Sequence, residues 1–238
     1  MELAVQEHDV IELSATEAAS VIRDGDVVAI TGNGGGMLEA DAIFAAIEKR
    51  FIATGTPRNL VLVHALGVGD GKERGVNRFA HPGLVRRVIG GHWSWSPRMQ
   101  ALARDNSIEA FTLPSGVISL LLRETGAKRP GLITHVGLNT FYDPRFGGGA
   151  ANEAARNAEP ISEIVTLGGE DYIRYLPIRP DVAIVRGTYC DEQGNISCAE
   201  ESGDLDCHAV ALSARNSGGR VLAHVRQRRE SKDCLARL

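Results

Sequence analysis

Short runs of aliphatic residues recur along the chain and predict the strands of a buried sheet. Strands of a parallel sheet are covered on both faces, so their sequences are continuously apolar rather than alternating. The runs are DVVAIT, NLVLVHAL, RRVIGGH, IEAFTL, GLITHVG, DVAIVRGT and GGRVLAHV. We therefore expect a parallel sheet whose two faces both pack against helices.

Stretches with apolar residues at helical spacing lie between these runs. They cover residues 39–51, 97–106, 116–124 and 204–214. Alternation of strands and helices is typical of the α/β class. The pattern therefore predicts an α/β fold with an open, mostly parallel sheet and helices on both faces.

The periodicity is lost in the middle of the chain, at residues 140–158. This segment, TFYDPRFGGGAANEAARNA, is rich in glycine. A loop of this length inside a compact domain is usually functional or mobile. The last residues are charged and show little apolar pattern. We expect one domain over residues 1–226 and a charged tail over 227–238, which forms a surface helix or frays.

Composition indicates an ordinary globular protein. Of 238 residues, 43% are apolar and 24% are charged, which is enough for one substantial core. The formal net charge of −4 gives no reason to expect a nucleic acid or an anionic membrane as a partner. No apolar run approaches the roughly 20 residues that cross a bilayer, and the acidic N-terminus lacks the features of a signal peptide. We expect a cytoplasmic protein.

The spacing of cysteine and histidine residues argues against a metal site. The four cysteines are Cys190, Cys198, Cys207 and Cys234, and no Cys or His pair has the spacing of zinc ligands. In a chain without export signals we expect the cysteines to be free thiols. The sequence predicts neither a metal nor another bound cofactor.

A cluster of glycines separates the first apolar strand from the helix that follows it. Gly32, Gly34, Gly35 and Gly36 stand within five positions. Glycines permit positive φ and leave amide N–H groups uncovered, and a helix N-terminus adds partial positive charge. The dinucleotide fingerprint needs a glycine at Met37, and a P-loop needs Gly-Lys-Ser/Thr, so both are excluded. The loop is predicted to bind an anion or a carbonyl oxygen, with a plain tight turn as the alternative.

The segment DGDVVAITGNGGGMLEADAI resembles the N-terminal signature of the family I coenzyme A transferases, the acetate/propionate/3-oxoacid type. Four later segments resemble successive parts of the α-half of that family. They are GVGDGKERGVNRFAHPGLVRRVIGGHWSWSPRM, NSIEAFTLPSGVISLLLRE, RPGLITHVGLNTFYDPRFGGGAANEAA and DVAIVRGTYCDEQGNISCAEE. The resemblance covers roughly residues 22–225. It implies an enzyme of two α/β halves, either fused or separate, that transfers coenzyme A between an acyl-CoA and a short carboxylic acid by a ping-pong mechanism.

The resemblance also implies that this chain lacks the nucleophile. In the family the reacting glutamate belongs to the β-half, within a Ser-Glu-Asn-Gly segment. Here the pair Ser162-Glu163 is followed by Ile164, and no Ser-Glu-Asn-Gly is present. We expect an α-half, as a subunit or a truncated form, that is inactive without a β-half. The expected partners are a β-type half or further copies of the chain, with coenzyme A as a substrate.

The same resemblance implies that Gly34, Gly35 and Gly36 bind the thioester oxygen. The predicted substrate cleft adds four side chains, namely Asn33, Glu39, Asn77 and His92. For Asn77 a packed loop is the alternative. His92, with Trp93 and Trp95, shapes either an acyl or pantetheine pocket or an interface with the partner half.

Two places in the chain offer a local carboxylate instead of the missing nucleophile. Glu39 follows the glycines, where it is either near the reacting group or simply a favourable acid at a helix N-terminus. Glu200 and Glu201 follow DEQGNIS and lie either in a cleft or in a solvated turn. A different class of function also stays open, a non-catalytic or degenerate ligand-binding domain on the same fold.

Overall fold

A computed structural model describes residues 10–230, in which helices and strands alternate. The helices are α1 (Ala15–Ser20), α2 (Asp41–Thr54), α3 (Pro97–Arg104), α4 (Ser115–Gly126), α5 (Glu153–Arg156) and α6 (Cys207–Asn216). The strands are β1 (Val27–Ile30), β2 (Leu60–His64), β3 (Val85–Gly90), β4 (Glu109–Thr112), β5 (Leu132–Thr134), β6 (Ser162–Leu167), β7 (Glu170–Tyr175), β8 (Val182–Cys190), β9 (Ile196–Ser197) and β10 (Arg220–Arg228). Within this range, no helix combines the length and the apolar character that a bilayer span requires.

The main sheet confirms the predicted fold class. Its strands lie in the order β10-β8-β1-β2-β3-β4 with parallel neighbours, and β9 pairs antiparallel with β8. Val28 and Ile30 of β1 face a core formed with α1 and α2, whereas Ala29 faces a core formed with α4 and α6. Both faces are therefore covered, which accounts for the continuously apolar strand sequences.

One predicted strand belongs to a different sheet. Residues 132–134 form β5, which pairs antiparallel with β7, and β7 pairs antiparallel with β6. One face of this three-stranded sheet is open, and Ile133 and Leu167 are exposed on it. The assignment of GLITHVG to the parallel sheet is therefore wrong. A short apolar run predicts a strand but carries no information about the strand that it will pair with.

The four predicted helices are present as α2, α3, α4 and α6, with shifted ends. α2 begins at Asp41 rather than at residue 39, because Leu38 has a φ of 49° and Glu39 precedes the helix. The short helices α1 and α5 were not among those predicted, since a helix of one or two turns has too little periodicity to stand out.

Residues 140–158 are ordered by buried polar contacts. The carboxylate of Asp143 is fully buried and accepts hydrogen bonds from the Asn139 backbone and from Arg145. The Arg145 guanidinium holds the pKa of Asp143 well below its ordinary value. The backbone of residues 149–151 hydrogen-bonds along β4. The segment therefore covers an edge of the main sheet.

The predicted tail begins inside a strand. β10 continues to Arg228 and pairs with β8 there, so Gln227 and Arg228 belong to the sheet. Residues 231–238 lie outside the described range, and a tail over them stays a prediction.

We expect Asn152→Ala to lower the free energy of unfolding by about 2–4 kcal/mol, because it leaves buried backbone groups without partners. The Asn152 side chain accepts hydrogen bonds from the Ala110 and Ala155 amides and donates to two carbonyls, at 2.8–3.2 Å. The matched control is Asn157→Ala at the exposed end of α5, which should change stability by less than about 0.5 kcal/mol. Urea unfolding of both variants measures this, and equal losses would contradict the anchoring role.

Candidate functional site

The loops that follow β1, β2 and β3 meet at the carboxyl edge of the main sheet. From β1 the chain adds β2, β3 and β4 on one side and later places β8 on the other side. The crevice at such a reversal of strand order is the usual ligand site of an open α/β sheet. The glycine loop, residues 32–36, follows β1 and lies at this crevice.

The three predicted glycines of the loop differ in what their amides do. The Gly34 N–H donates to Asn33 Oδ1 at 2.8 Å, and the Gly35 N–H donates to the Gly69 carbonyl at 2.9 Å. No hydrogen bond among residues 10–230 uses the Gly36 amide. Gly35 and Gly36 are exposed, with φ values of 79° and 87°, and a Cβ on either would meet open space. Gly36 therefore presents the unused donor.

Trp95 accounts for the glycine at position 34. A Cβ on Gly34 would lie 2.2 Å from the indole ring of Trp95, and a Cβ on Gly67 would lie 2.4 Å from the His92 imidazole. Side chains cannot approach so closely, so glycine is required at both positions. Trp95 is 41% exposed and forms one wall of the crevice, with its indole stacked on the glycine loop.

Glu39 is a buried carboxyl behind the glycine loop. Its side chain is 2% exposed, Oε1 accepts the Gly69 N–H at 2.6 Å, and Oε2 has no hydrogen-bond partner within residues 10–230. Burial outweighs the hydrogen bond from Gly69 and, with the nearby carboxylates of Asp41 and Asp70, raises the pKa of Glu39 to about 7. The interpretation of Glu39 as an acid in the first turn of a helix is wrong, because Asp41 occupies that place.

Of the other three predicted cleft residues, Asn33 accepts the Gly34 N–H, and Asn77 and His92 have different surroundings. Asn77 is completely buried, donates to the Arg74 and Trp95 carbonyls at 3.0 Å and accepts the Arg98 N–H at 3.1 Å. It therefore supports the loops from beneath instead of facing the cleft. His92 is exposed, and its Nε2 lies 3.2 Å from the Ser94 hydroxyl.

The opposite wall of the crevice carries the predicted candidate Glu201 together with Arg186, which the sequence analysis missed. The guanidinium of Arg186 on β8 lies 3.6 Å from the Glu201 carboxylate and 3.5 Å from the backbone oxygen of Glu39. The Glu201 side chain is 10% exposed, which excludes a solvated turn. An arginine within the apolar run DVAIVRGT was the available signal, because a charge on a covered strand requires a partner.

A separate open cleft of about 520 Å³ lies between α3, β4 and α5, lined in part by Arg104 and Arg156. Trp93, one of the two tryptophans predicted to shape an acyl pocket, lines this cleft, but the glycine loop, Glu39, Asn77 and His92 do not. Across residues 10–230, no three or more His, Cys, Asp or Glu side chains are grouped so as to hold a metal ion. The exposed Gly36 amide and the buried Glu39 carboxyl both lie at the crevice at the strand ends, which is therefore the candidate functional site.

Residues 12–229 match the model of the coenzyme A transferase family. The chain is 38% identical over 215 residues to the acetate CoA-transferase YdiF of Escherichia coli strain K12, and 42% identical over 214 residues to the caffeate CoA-transferase of Acetobacterium woodii. Each match covers 90% of this chain and 40% of the relative. The crystal structure of the YdiF apoenzyme from E. coli O157:H7 has a TM-score of 0.90 and 37% identity, over 94% of this chain and 43% of that one.

A relative that is itself a separate subunit is also similar. The acetate CoA-transferase subunit alpha of E. coli K12 is 25% identical over 157 residues, which are 62% of this chain and 64% of the subunit. The chain thus spans only 40% of the length of the two curated relatives that it matches at 38% and 42% identity.

We expect Glu39→Gln to remove a pH-dependent part of the stability. The pKa of Glu39 is raised from its ordinary value of 4.5 to about 7, so its contribution is fully present below pH 4.5 and is lost as the pH rises through 7. A glutamine side chain cannot ionise, so the variant should gain about 3 kcal/mol relative to the unaltered chain between pH 4.5 and pH 8.

Urea unfolding at several pH values measures this difference. Glu73→Gln is the matched control, since Glu73 is an exposed glutamate in the neighbouring loop. It should leave the pH dependence unchanged. Parallel pH profiles for Glu39→Gln and the unaltered chain would show that Glu39 ionises normally.

Proposed function

Because this chain belongs to the coenzyme A transferase family, we propose that it is the α-type half of an enzyme that moves coenzyme A between an acyl-CoA and a short carboxylic acid. The observation that carries this proposal is an exposed glycine amide at the strand-end crevice of a fold shared with that family. Coenzyme A enters the reaction as a substrate.

In this proposal the glycine loop stabilises the oxygen of the thioester. Nucleophilic attack places negative charge on that oxygen, and a pre-aimed N–H donor lowers the energy of this state. Gly36 has the free, exposed amide, so it is the donor that we assign to the oxyanion. Gly34 and Gly35 use their amides within the protein and shape the loop. Met37 and Trp95, both about 40% exposed, offer apolar surface to the acyl or pantetheine chain.

A glutamate of a β-type half supplies the nucleophile in a ping-pong reaction. Its carboxylate attacks the acyl-CoA, forms an acyl-glutamyl anhydride and releases the coenzyme A thiolate. The thiolate attacks the glutamyl carbonyl, which yields a glutamyl-CoA thioester and the first carboxylic acid. The acceptor acid then takes coenzyme A by the reverse sequence. Covalent catalysis of this kind divides one difficult transfer into easier steps.

The carboxylates of this chain support the need for a partner. Glu39 is buried with one oxygen held by Gly69, and Glu201 faces Arg186. Glu163 of the Ser-Glu pair lies on β6 in the second sheet, where it binds Arg174 at 2.6 Å. None of these three presents a free carboxylate beside Gly36. The partner is a β-type half that faces the crevice, within an α/β pair or a larger oligomer.

We expect the isolated chain to exchange no coenzyme A between an acyl-CoA and labelled acetate, and borohydride to trap no glutamyl thioester. Production together with a β-type half that carries Ser-Glu-Asn-Gly should produce exchange. Exchange by the pure chain that Glu39→Gln abolishes would overturn the half-site assignment. Acyl-CoA binding without exchange in any combination would favour a ligand-binding domain.

We expect Gly36→Ala to lower kcat of the two-half enzyme about 10²-fold, the usual effect of losing an oxyanion donor. The added methyl group disfavours the φ of 87° and turns the amide away. Gly25→Ala is the matched control, with a φ of 81° and open surroundings at the other end of β1. Both variants should lose about 1–2 kcal/mol of stability, but only Gly36→Ala should lose turnover. Equal kcat values would refute the oxyanion role.

A further inference from the structure

Two thiols meet beside the glycine loop. Cys198 follows β9 and Cys207 begins α6, and both sulfurs lie against the backbone carbonyl of Arg186, at 3.8 Å and 3.3 Å. Cys207 Sγ lies 3.7 Å from the hydroxyl of Thr31, the residue that leads into the glycine loop. The proposed transfer reaction uses neither thiol.

We propose that Cys198 and Cys207 are an oxidative modification site, at which a peroxide converts the two thiols into a reversible intramolecular disulfide. The pair is nine positions apart in the sequence without the C-x-x-C spacing of redox motifs. Its proximity arises because β9 turns back along β8 and α6 starts over the same strand.

Cys198 is the thiol that reacts first. It is half-buried, whereas Cys207 is buried. The neighbouring Cys207 thiol lowers the pKa of Cys198, against the opposing effects of burial and of the Glu201 and Asp204 carboxylates. The same contact, together with burial, raises the pKa of Cys207. Since the thiolate is the nucleophile, Cys198 attacks the peroxide and Cys207 resolves the product.

The reaction balances with hydrogen peroxide as the oxidant. The Cys198 thiolate attacks one peroxide oxygen, the O–O bond breaks, and the departing hydroxide takes a proton to become water. This step leaves a sulfenic acid on Cys198. The Cys207 sulfur then attacks the Cys198 sulfur, the S–S bond forms, and the sulfenic oxygen leaves as a second water. The two sulfurs together lose two electrons, which reduce the peroxide.

The chain between the two cysteines can accommodate the bond. A disulfide requires a sulfur–sulfur distance of about 2.05 Å, so the sulfurs must move together. The connecting residues 199–206 form neither helix nor strand, and Leu205 and Asp206 have φ values of 40° and 65°. Closure therefore shifts this loop rather than the paired strands of the main sheet.

The loop at residues 199–206 also touches Met37, the residue that follows the glycine loop. The Ser202 hydroxyl lies 3.6 Å from Met37 Sδ. Oxidation of the pair would thus alter one wall of the crevice. The chemistry of the pair does not rest on the proposed function, because it can be measured on this chain without any substrate.

The test is peroxide treatment of the reduced chain, followed by alkylation of the remaining thiols and digestion after Glu and Asp. This cleavage places Cys190, Cys198 and Cys207 on different peptides, because acidic residues lie between them. We expect mass spectrometry to find a Cys198–Cys207 peptide pair that has lost two hydrogens and that dithiothreitol separates. Both cysteines still reduced while free glutathione is oxidised, or either one linked to Cys190 or Cys234, would overturn the proposal.

Single-cysteine variants distinguish the attacking thiol, Cys198, from the resolving thiol, Cys207. Cys207→Ala should leave a sulfenic acid on Cys198 that dimedone traps, and Cys198→Ala should leave Cys207 reduced. Cys190→Ser is the matched control at the end of β8, and its rate of linkage should stay within about twofold of the unaltered chain. Dimedone labelling of Cys207 in place of Cys198 would reverse the assigned order. The linkage in the unaltered chain is scored directly, so an unstable variant does not decide the outcome.

Discussion

Gly69 connects the loops at the carboxyl edge of the sheet, and the shape of the crevice depends on its two backbone hydrogen bonds. Its N–H donates to Glu39 Oε1 at 2.6 Å, and its carbonyl accepts the Gly35 N–H at 2.9 Å. The Trp95 carbonyl approaches so closely that a Cβ on Gly69 would lie 2.5 Å from it. These partners belong to the loops after β1 and β3, while Gly69 itself follows β2. A single residue without a side chain thus sets the relative positions of three loops.

The same contacts explain why two acids close in sequence behave in opposite ways. Asp41 forms hydrogen bonds with the Arg78 guanidinium at 2.8 Å and 2.9 Å, and this pairing lowers its pKa. The buried Glu39 carboxyl accepts no hydrogen bond from a cationic side chain within residues 10–230, so its pKa rises to about 7. Below a pH of about 7 the Glu39 carboxyl is mostly protonated, so it adds little negative charge beside the glycine loop, where an oxyanion is proposed to develop. The ion pair of Asp41 with Arg78 and the burial of the Glu39 carboxyl are therefore both compatible with the proposed oxyanion site.

The crevice provides some of the groups that acyl transfer requires, but no nucleophilic carboxylate is assigned to it. One wall offers an exposed amide and the Trp95 indole, and the other carries the Arg186–Glu201 pair and two thiols. Of its charged side chains, Arg186 and Glu201 pair with each other. A second protein surface that brings a nucleophilic carboxylate completes the set of groups that acyl transfer requires. Function in this fold thus resides in residues added at the strand ends, not in the sheet itself.

Local sequence predicted the strands of the parallel sheet and the four longer helices of this protein, and only the tertiary structure decided how they meet. Continuous apolar runs and helical spacing predicted the α/β class and four helices. A strand that is covered on both faces has a continuously apolar sequence, and a helix that is covered on one face has apolar residues at helical spacing. The glycine loop was equally visible, since dense glycines after a strand are a local feature. No local pattern in the sequence predicts three other features: the pairing of β5 with β7, the burial of Glu39 and the close contact of Trp95 with Gly34. Each depends on contacts between residues far apart in sequence, and neither the period nor the composition of a segment specifies its distant partner.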